Sequence, residues 1–451
     1  MSLFESLSIA SQALLSNKAA INVTNRNISN VYTDGYSRET PVFADIPGTG
    51  VTVETVRRIF NKAYFTRYIS ENQNNKGLSS YKDILEQIES VFNDLQGSGF
   101  SQELTDFFNA MNDVAVKPDD VAARSELLAK AQALVGRIRD SYSTLSEIKN
   151  TSVAKIRDEV TQLNNLLEKL ARINKDLKIY ASDPERVNQY LDERDKTLTQ
   201  ISNLIDTKAL IKEDGTVDLY TAKGFALVLG NEAKKVSFET DSNGDPVLRS
   251  SGVDITSELK NGTIGGYLKG ISYLNKVLDN LNTFTTNFAD EINAQHKAGF
   301  DLYGETGIDF FKAENGALTI DASNITLNFE DPKKIAAAES KDYLNADNGN
   351  IKKLIALKDN VWTNLGDKSF SEYYNTDIVT AIGAELESTK DLLTNSDFVL
   401  QAISDKMKEL SSVNMDEELL NLTRYQRAYE AAAKVVNVTD ELLQTILGMV
   451  R

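Results

Sequence analysis

The stretch LFESLSIASQALLSNKAAINVTNRNIS, Leu3 to Ser29, decides how this chain is read. Leu3, Leu7, Ala10, Leu14, Asn17, Ile21, Thr24 and Ile28 recur in steps of four and three, which is a heptad seam with polar residues at Asn17 and Thr24. Ser2 and Glu5 stand ahead of it at capping-box spacing. The spacing predicts one amphipathic helix that starts at Leu3 and ends near Asn30, before the turn residues Thr33-Asp34-Gly35.

The other end of the chain mirrors this pattern. Asn414 is a good N-cap residue, and Asp416, Glu417 and Glu418 place carboxylates where the helix dipole favours them. Leu419, Leu422, Gln426, Tyr429, Ala433, Val436, Asp440, Leu443, Leu447 and Val450 again step by three and four. A helix of about 35 residues at 1.5 Å each is roughly 50 Å long. Neither end has a sequence neighbour that could cover its seam, so the two are expected to pair. An isolated helix is marginal in water. Uncovered Leu, Ile and Val side chains forfeit ~1.5–3 kcal/mol each, roughly 10 kcal/mol together for one such seam. A two-helix pair covers only one side of each helix. It is therefore expected to be loose alone and to firm up when neighbouring subunits complete the core, which predicts an assembling protein. Tyr425 and Tyr429, four apart, suit either such a contact or packing within the chain.

Between the ends, 451 residues with only 6 prolines favour long uninterrupted helices. Asp119-Asp120 opens a helix with no stop signal before Asp183-Pro184. Its seam runs Val135, Ile138, Tyr142, Leu145, turns polar at Lys149 and Ser152, and resumes at Ile156, Leu163, Leu166, Leu170, Ile173 and Leu177. Further helices are expected from near Ser101, over Val187 to Ile205, over Ile264 to His296, and over roughly Asp391 to Leu410. Period-two alternation marks Val51 to Val56, and a Lys223-Gly224 turn separates Thr216 to Tyr220 from Phe225 to Leu229. Asn243-Gly244 signals a hairpin, and Leu318 to Phe329 reads as a third β group. The fold class is mainly α (α+β): elongated, with paired terminal heptad helices and a central long-helix rod carrying small β elements. The expected units are residues 1–60 with 412–451 as an inner assembly domain, 61–300 with 385–411 as a helical rod with a β-hairpin region at 209–255, and 301–384 as a mixed, reduced outer segment.

Composition excludes several classes of function. The net charge is −17, which opposes binding to nucleic acid or to anionic membrane. No cysteine is present, so disulfides, thiolate metal sites and a Cys nucleophile are out. No stretch reaches the ~20 apolar residues of a membrane span, and Met1 to Leu15 shows no secretory signal. His296, the lone histidine, has no Ser or carboxylate array beside it and reads as a partly buried or helix-end residue. Asp241 to Asp245 reads as a turn, because a calcium loop starting there would need Gly, not Pro246, at its sixth place. Gly48-Thr49-Gly50 and Gly97-Ser98-Gly99 lack a phosphate-loop continuation. Asp192, Glu193 and Asp195 could offer paired carboxylates to a hydrolase, but surface ion pairing with Arg194 or Lys196 is the commoner outcome on a helix. No catalytic, cofactor or metal site is assigned.

Two windows then resemble a known family. Asn27-Ile28-Ser29-Asn30 followed by Thr33-Asp34-Gly35-Tyr36-Ser37-Arg38 is similar to the N-terminal signature of bacterial flagellar axial proteins. Val413 to Glu418, with Asn414, and Tyr425-Gln426-Arg427-Ala428-Tyr429-Glu430-Ala431 resemble their C-terminal signature. Ser37-Arg38, Leu191 to Asp195, His296 to Gly304 and Gly307 to Phe311 narrow the resemblance to the hook-associated protein 1 family, at the junction of hook and filament. The resemblance implies a non-enzymatic structural protein of the extracellular flagellum, exported without a cleaved signal. It implies assembly with copies of itself, with hook protein and with a second hook-associated junction protein, and an export chaperone on the C-terminal helix. The assembly surface would comprise Leu3, Leu7, Ala10, Leu14, Ile21, Ile28, Leu419, Leu422, Tyr425, Tyr429, Val436, Leu443, Leu447 and Val450. Members of the family carry an outward β domain, for which Asp309 to Gly383 is short. The alternatives are another axial protein (second junction, hook or rod component), a secreted carboxylate-dependent hydrolase, or a coiled-coil signalling or adhesion protein.

Overall fold

The structure, a computed structural model, describes residues 2–33, 35–93 and 99–449. Helix α1 (Leu3–Ser29) begins with the expected capping box. The Glu5 N–H donates to Ser2 Oγ at 3.1 Å, and the Ser2 N–H donates to Glu5 Oε2 at 3.1 Å. Strands β1 (Glu39–Ile46) and β2 (Gly50–Arg58) follow as an antiparallel hairpin with a register shift at Val42/Phe43. The hairpin lies on α1, where Ser16 Oγ donates to the Val51 carbonyl at 2.5 Å. At the far end of the chain, Asn414 Oδ1 caps α10 (Met415–Met449) by accepting from the Asp416 N–H at 3.0 Å. α10 packs along α1. Phe43 of the hairpin touches Tyr425, with ring centroids 6.2 Å apart.

The rest is a bundle of long helices. α2 (Lys62–Val91), α3 (Phe100–Val116), α4 (Val121–Ile179), α5 (Pro184–Leu204) and α6 (Gly262–Lys297) form it. α4 alone runs 59 residues, about 90 Å at 1.5 Å per residue. Its cap is Asp120, whose carboxylate accepts from the Ala122 N–H at 2.8 Å. Between α5 and α6 sit two small antiparallel sheets. One has the order β3 (Thr207–Ile211), β4 (Val217–Thr221), β5 (Ala226–Leu229), β6 (Glu232–Ala233), and the other β7 (Val236–Thr240), β8 (Pro246–Ser250), β9 (Val253–Asp254). Asn243-Gly244 forms the expected turn between β7 and β8.

Two large apolar cores lie along the rod. One gathers Phe100, Phe107, Phe108, Phe284, Phe288 and Phe370 with the first half of α4. The other gathers Phe65, Ile156, Leu163, Leu170, Ile201 and the sheet residues Val217, Leu219 and Val228. The seam of α4 turns polar where the cores separate, because the β7–β8 turn docks there. Lys149 Nζ reaches Asp245 Oδ1 at 2.7 Å and the Asn243 carbonyl at 3.0 Å, and Asn275 Nδ2 donates to the same carboxylate at 2.9 Å.

α2 lacks an apolar pattern over Glu71 to Gly77, yet that stretch is largely buried. Hydrogen bonds replace apolar packing: Asn72 Nδ2 donates to Ser202 Oγ at 2.8 Å and to Asn203 Oδ1 at 2.7 Å, and Asn75 Nδ2 to Asp397 Oδ1 at 2.6 Å. Gly77 and Gly266 let α2 and α6 touch, since a Cβ on Gly266 would overlap the Gly77 carbonyl oxygen.

Two expectations need correction. The helix placed at Asp391 to Leu410 is α9 (Ala381–Ser411), which continues from α8 (Phe370–Tyr373) through a π-helical stretch, Tyr374–Thr380. The earlier start is held by Leu386, packed on Tyr81 and Leu85 of α2, and by the Tyr81 hydroxyl donating to Glu385 at 2.9 Å. Leu318 to Phe329 is mostly turn. Only β11 (Ile325–Leu327) is extended, paired with β10 (Phe311–Ala313), because Asp321 and Asn324 hydrogen-bond backbone locally and hold the chain out of a ladder. The short helix α7 (Gly349–Ala356) packs nearby on α3 and α6. Tyr374 stacks on Phe100 at 4.3 Å.

Candidate functional site: the joint of the two chain ends

The signature residues converge on one buried side chain. Asn27, 1% exposed, sits in the last turn of α1. Its Nδ2 donates to the Glu39 carbonyl at 2.8 Å and to Glu418 Oε2 at 3.0 Å. Its Oδ1 accepts from the Glu39 N–H at 2.9 Å and from the Tyr36 hydroxyl at 2.8 Å. Every hydrogen-bonding position of the amide is used. Asn27 therefore ties α1, the start of β1 and the first turn of α10 together. Burial, with the Glu39 charge next, holds the Tyr36 phenol well above its usual range.

Arg38 fastens the same joint from the other side. Its Nε donates to Glu418 Oε1 at 2.7 Å, its Nη1 lies 2.7 Å from Glu417 Oε2, and its backbone N–H donates to the Ser411 carbonyl at 3.0 Å. Gly35 takes φ +82°, the left-handed conformation that lets the chain turn from Asn30 into Tyr36. Asn30 closes the end of α1, donating from Nδ2 to the Arg26 carbonyl at 2.9 Å. Asp34 lies outside the described residues. Gln426 is exposed on α10, away from the joint.

A second network ties the joint to α5. The buried Glu39 carboxylate accepts from Arg26 Nη2 at 3.0 Å and from Asn188 Nδ2 at 3.0 Å, and Arg26 Nη1 also reaches Glu185 at 2.9 Å. Arg58, buried at the end of β2, lies 2.9 Å from Asp192 and 2.7 Å from Asp195. Arg194 donates to Asp195 Oδ1 at 2.6 Å. These are not the surface pairs expected from helix spacing. Arg58 arrives from a hairpin remote in sequence, and the cluster is buried between hairpin and helix. Burial pushes the Asp192 carboxyl up to about 6, against the opposing pull of Arg58. Asp195 is held between two guanidinium groups. Glu39, Arg58 and Glu418 were not singled out from sequence as joint residues. Glu418 stood inside the C-terminal signature, which was the available signal.

His296 lies in the last turn of α6, as expected of a helix-end residue, and is buried fully rather than partly: Nε2 accepts from the Ala336 N–H at 2.9 Å, while Nδ1 faces the Ile308 carbonyl at 2.5 Å. That pairing fixes a neutral ring protonated at Nδ1, and burial draws its pKa down to about 4. Asp241 accepts from the Asn243 and Asp245 N–H groups as a turn. Among the described residues no group of three or more His, Asp or Glu could hold a metal ion, and no helix is long and apolar enough to cross a membrane.

Ala10 is buried, and Leu3, Leu7, Leu14, Ile21 and Ile28 of α1 are half-buried. On α10, Leu422, Tyr425, Val436 and Leu443 are half-buried, and Leu419, Tyr429 and Leu447 are exposed. Val450 lies outside the described residues. A row the heptad reading did not include, Val435, Val438, Leu442, Ile446 and Met449, is exposed beside them, and α1 exposes Phe4 and Leu15.

Two chain ends joined in a polar clasp beside a long-helix rod are the arrangement that the resemblance to flagellar axial proteins implies. Accordingly, residues 405–449 match the family described as "Flagellar basal body rod FlgEFG protein C-terminal". Residues 85–311, half of the chain, match "Flagellar hook-associated protein FlgK helical domain", and the chain belongs to that FlgK family of flagellar hook-associated proteins. It is similar to flagellar hook-associated protein 1 of Bacillus subtilis (strain 168), 25% identical over 99% of this chain and 98% of the relative. It is also similar to flagellar hook-associated protein 1 of Escherichia coli (strain K12), 24% identical over 96% and 97%. The solved flagellar hook junction protein FlgK from Burkholderia pseudomallei shares the fold, with TM-score 0.67, 15% identity, and 76% of this chain and 99% of that chain covered.

Proposed function

We propose that copies of this chain assemble through α1 and α10 into the joint between hook and filament, and that the role is mechanical and non-catalytic. The observation that carries this reading is the two-sidedness of α10. One side packs on α1, while Val435, Val438, Leu442, Ile446, Leu447 and Met449 are exposed on the rest. A solvated apolar row of that length is the signature of an interaction surface. Its partners are further copies of the chain, with hook protein and the second hook-associated protein above and below, and an export chaperone covers it before assembly. Export to the cell exterior without a cleaved signal belongs to the same proposal. Residues 1–60 with 412–451 act as the assembly unit, 61–300 with 385–411 as the rod, and 301–384 as its outer segment.

The test deletes 415–451. Cells should export the truncated protein and grow no filament, while circular dichroism of the purified variant keeps the signal of the long rod helices. Full filaments from such cells would overturn the reading.

A further inference from the structure

The rod carries an exposed knob and an open groove. On α9, Phe398 is 78% exposed, with Ala402 exposed one turn on and Leu392 and Val399 exposed on the flank of the helix. Asp391 and Asp405 lie seven residues to either side of Phe398 on the same face, each about 10 Å away along the helix. On that face Phe398 is a single aromatic knob among exposed Thr394, Asn395 and Gln401, with a carboxylate at either end. The groove, about 500 Å³, lies between the hairpin, α5 and β3. Phe60, Val187, Leu191 and Ile211 line it, with Arg57 and Lys62 at its rim. Arg57 is exposed.

We propose that this groove receives the α9 knob of a second copy, Phe398 seated between Phe60 and Leu191 with Asp391 and Asp405 facing Arg57 and Lys62. The inference rests on the assembly reading above and adds a rod-to-rod contact to it. The occupant is chosen by charge and shape: a concave basic rim in a chain of net charge −17 meets a convex knob, with a carboxylate at either end, that the same chain supplies. One molecule cannot satisfy both. Asn75 of α2 hydrogen-bonds Asp397, so Phe398 stands beside residue 75, whereas the groove lies at Lys62, where α2 begins. Thirteen residues of helix separate the two levels, about 20 Å. The second copy is therefore displaced by that distance along the rod. Unlike faces meet, so the contact is heterologous and propagates around a ring or helix instead of closing as a dimer.

The absence of cysteine makes the test direct. Cells co-expressing Phe398→Cys and Arg57→Cys full-length chains, with flagella intact, are treated with a short bismaleimide. The expected product is a mixed dimer at least tenfold above that from cells carrying either variant alone. In a parallel arm, Arg57→Glu and Asp391→Lys should each lower the number of filaments retained under shear, and the double charge swap should restore it. Filamented cells that give no mixed dimer, or give Phe398–Phe398 dimers, would overturn this contact while leaving assembly through α10 standing. Single swaps without effect on retention would overturn it as well. Filaments in the 415–451 deletion would instead remove the assembly reading beneath it.

Discussion

α4 and α10 are both long amphipathic helices, and they finish their burial differently. α4 threads two apolar cores, and its seam residues Val135, Ile138, Leu145, Ile156, Leu163 and Leu170 are nearly inaccessible. Where its seam turns polar at Lys149, a hairpin turn supplies the partner. α10 belongs to neither core, pairs with α1, and leaves Leu447 69% exposed. The two apolar cores of the rod are closed within one chain. The terminal pair is held at its base by hydrogen bonds and ion pairs and has no large core of its own. Local stability should therefore fall from rod to terminal helices, and the apolar row on α10 is available to a partner without unfolding anything.

The largest effect that sharpens this contrast is expected in the rod. Phe288 is fully buried against Phe107, Phe284, Phe311 and Phe370. Phe288→Ala should cost about 3–5 kcal/mol of global stability, read as a lowered denaturant midpoint for the rod transition. A loss below about 1 kcal/mol would mean that the rod core is no better packed than the terminal pair.

Two buried titrating groups place opposite pH dependences in the two regions. His296, at the end of α6, has its pKa drawn down to about 4 from an ordinary value near 6.5. The unfolded chain takes up this proton first, so its contribution is present above pH 6.5 and lost as pH falls through 4. Asp192, at the joint, is pushed up to about 6 from 3.8. Here the folded chain takes up the proton first, so its contribution is present below about 3.8 and lost as pH rises through 6. Each is on the order of 3 kcal/mol, and they oppose each other between about pH 4 and 6. Region-resolved hydrogen exchange separates them: acidification should loosen Ile308 and Ala336 while tightening Ser37 and Arg58. Asp192→Asn should change the stability difference from the parent by about 3 kcal/mol between pH 7 and pH 4 and leave motility intact. A pH-independent difference would show that the joint does not bury this carboxyl.

A smaller, local effect is expected at Asn27. Asn27→Ala strands the Glu39 N–H and removes a donor from the buried Glu418 carboxylate, at about 1–3 kcal/mol. The loss should show as faster exchange in α1 and α10 with the rod midpoint unchanged. A shift of the rod midpoint would mean that the two regions unfold as one.

Much of this layout was legible because it is periodic or punctuated. The seams of α4 and α6, the helical periods of α1 and α10, the caps Ser2, Asp120 and Asn414, and the Asn243-Gly244 turn all follow from local rules, but the residues buried on α10, Glu418, Ala432 and Thr439, lie off the heptad row. α2 escaped because its central stretch, Glu71 to Gly77, buries amides through partners on α5 and α9 that are far away in sequence. The carboxylates of α5 were misplaced at the surface for the same reason, since Arg58 reaches them from a hairpin more than 130 residues earlier. The signature residues were visible as a motif, but their chemistry was not: only the fold shows that Tyr36 is spent on Asn27, and Asn27 and Arg38 on Glu418. Long-range polar contacts carry no period, and sequence spacing cannot announce them.

The smallest expected effect on stability is also the most direct challenge to the contrast. Leu447 is exposed, whereas Leu443, one turn earlier, is half-buried on the same helix. In the lone protein Leu447→Ser should stay within about 0.5 kcal/mol of the parent, as exposed substitutions do, while Leu443→Ser should measurably weaken α10 protection. In cells the order should reverse for any defect not explained by folding: Leu447→Ser should reduce filament number in proportion to the apolar area that a neighbour would have covered, ~1.5–3 kcal/mol for one Leu. If Leu447→Ser cells swim normally and Leu443→Ser cells do not, α10 matters only for its pairing with α1. The outward row would then be surface without a partner, and the difference between α4 and α10 would be one of degree of burial, with no division of labour behind it.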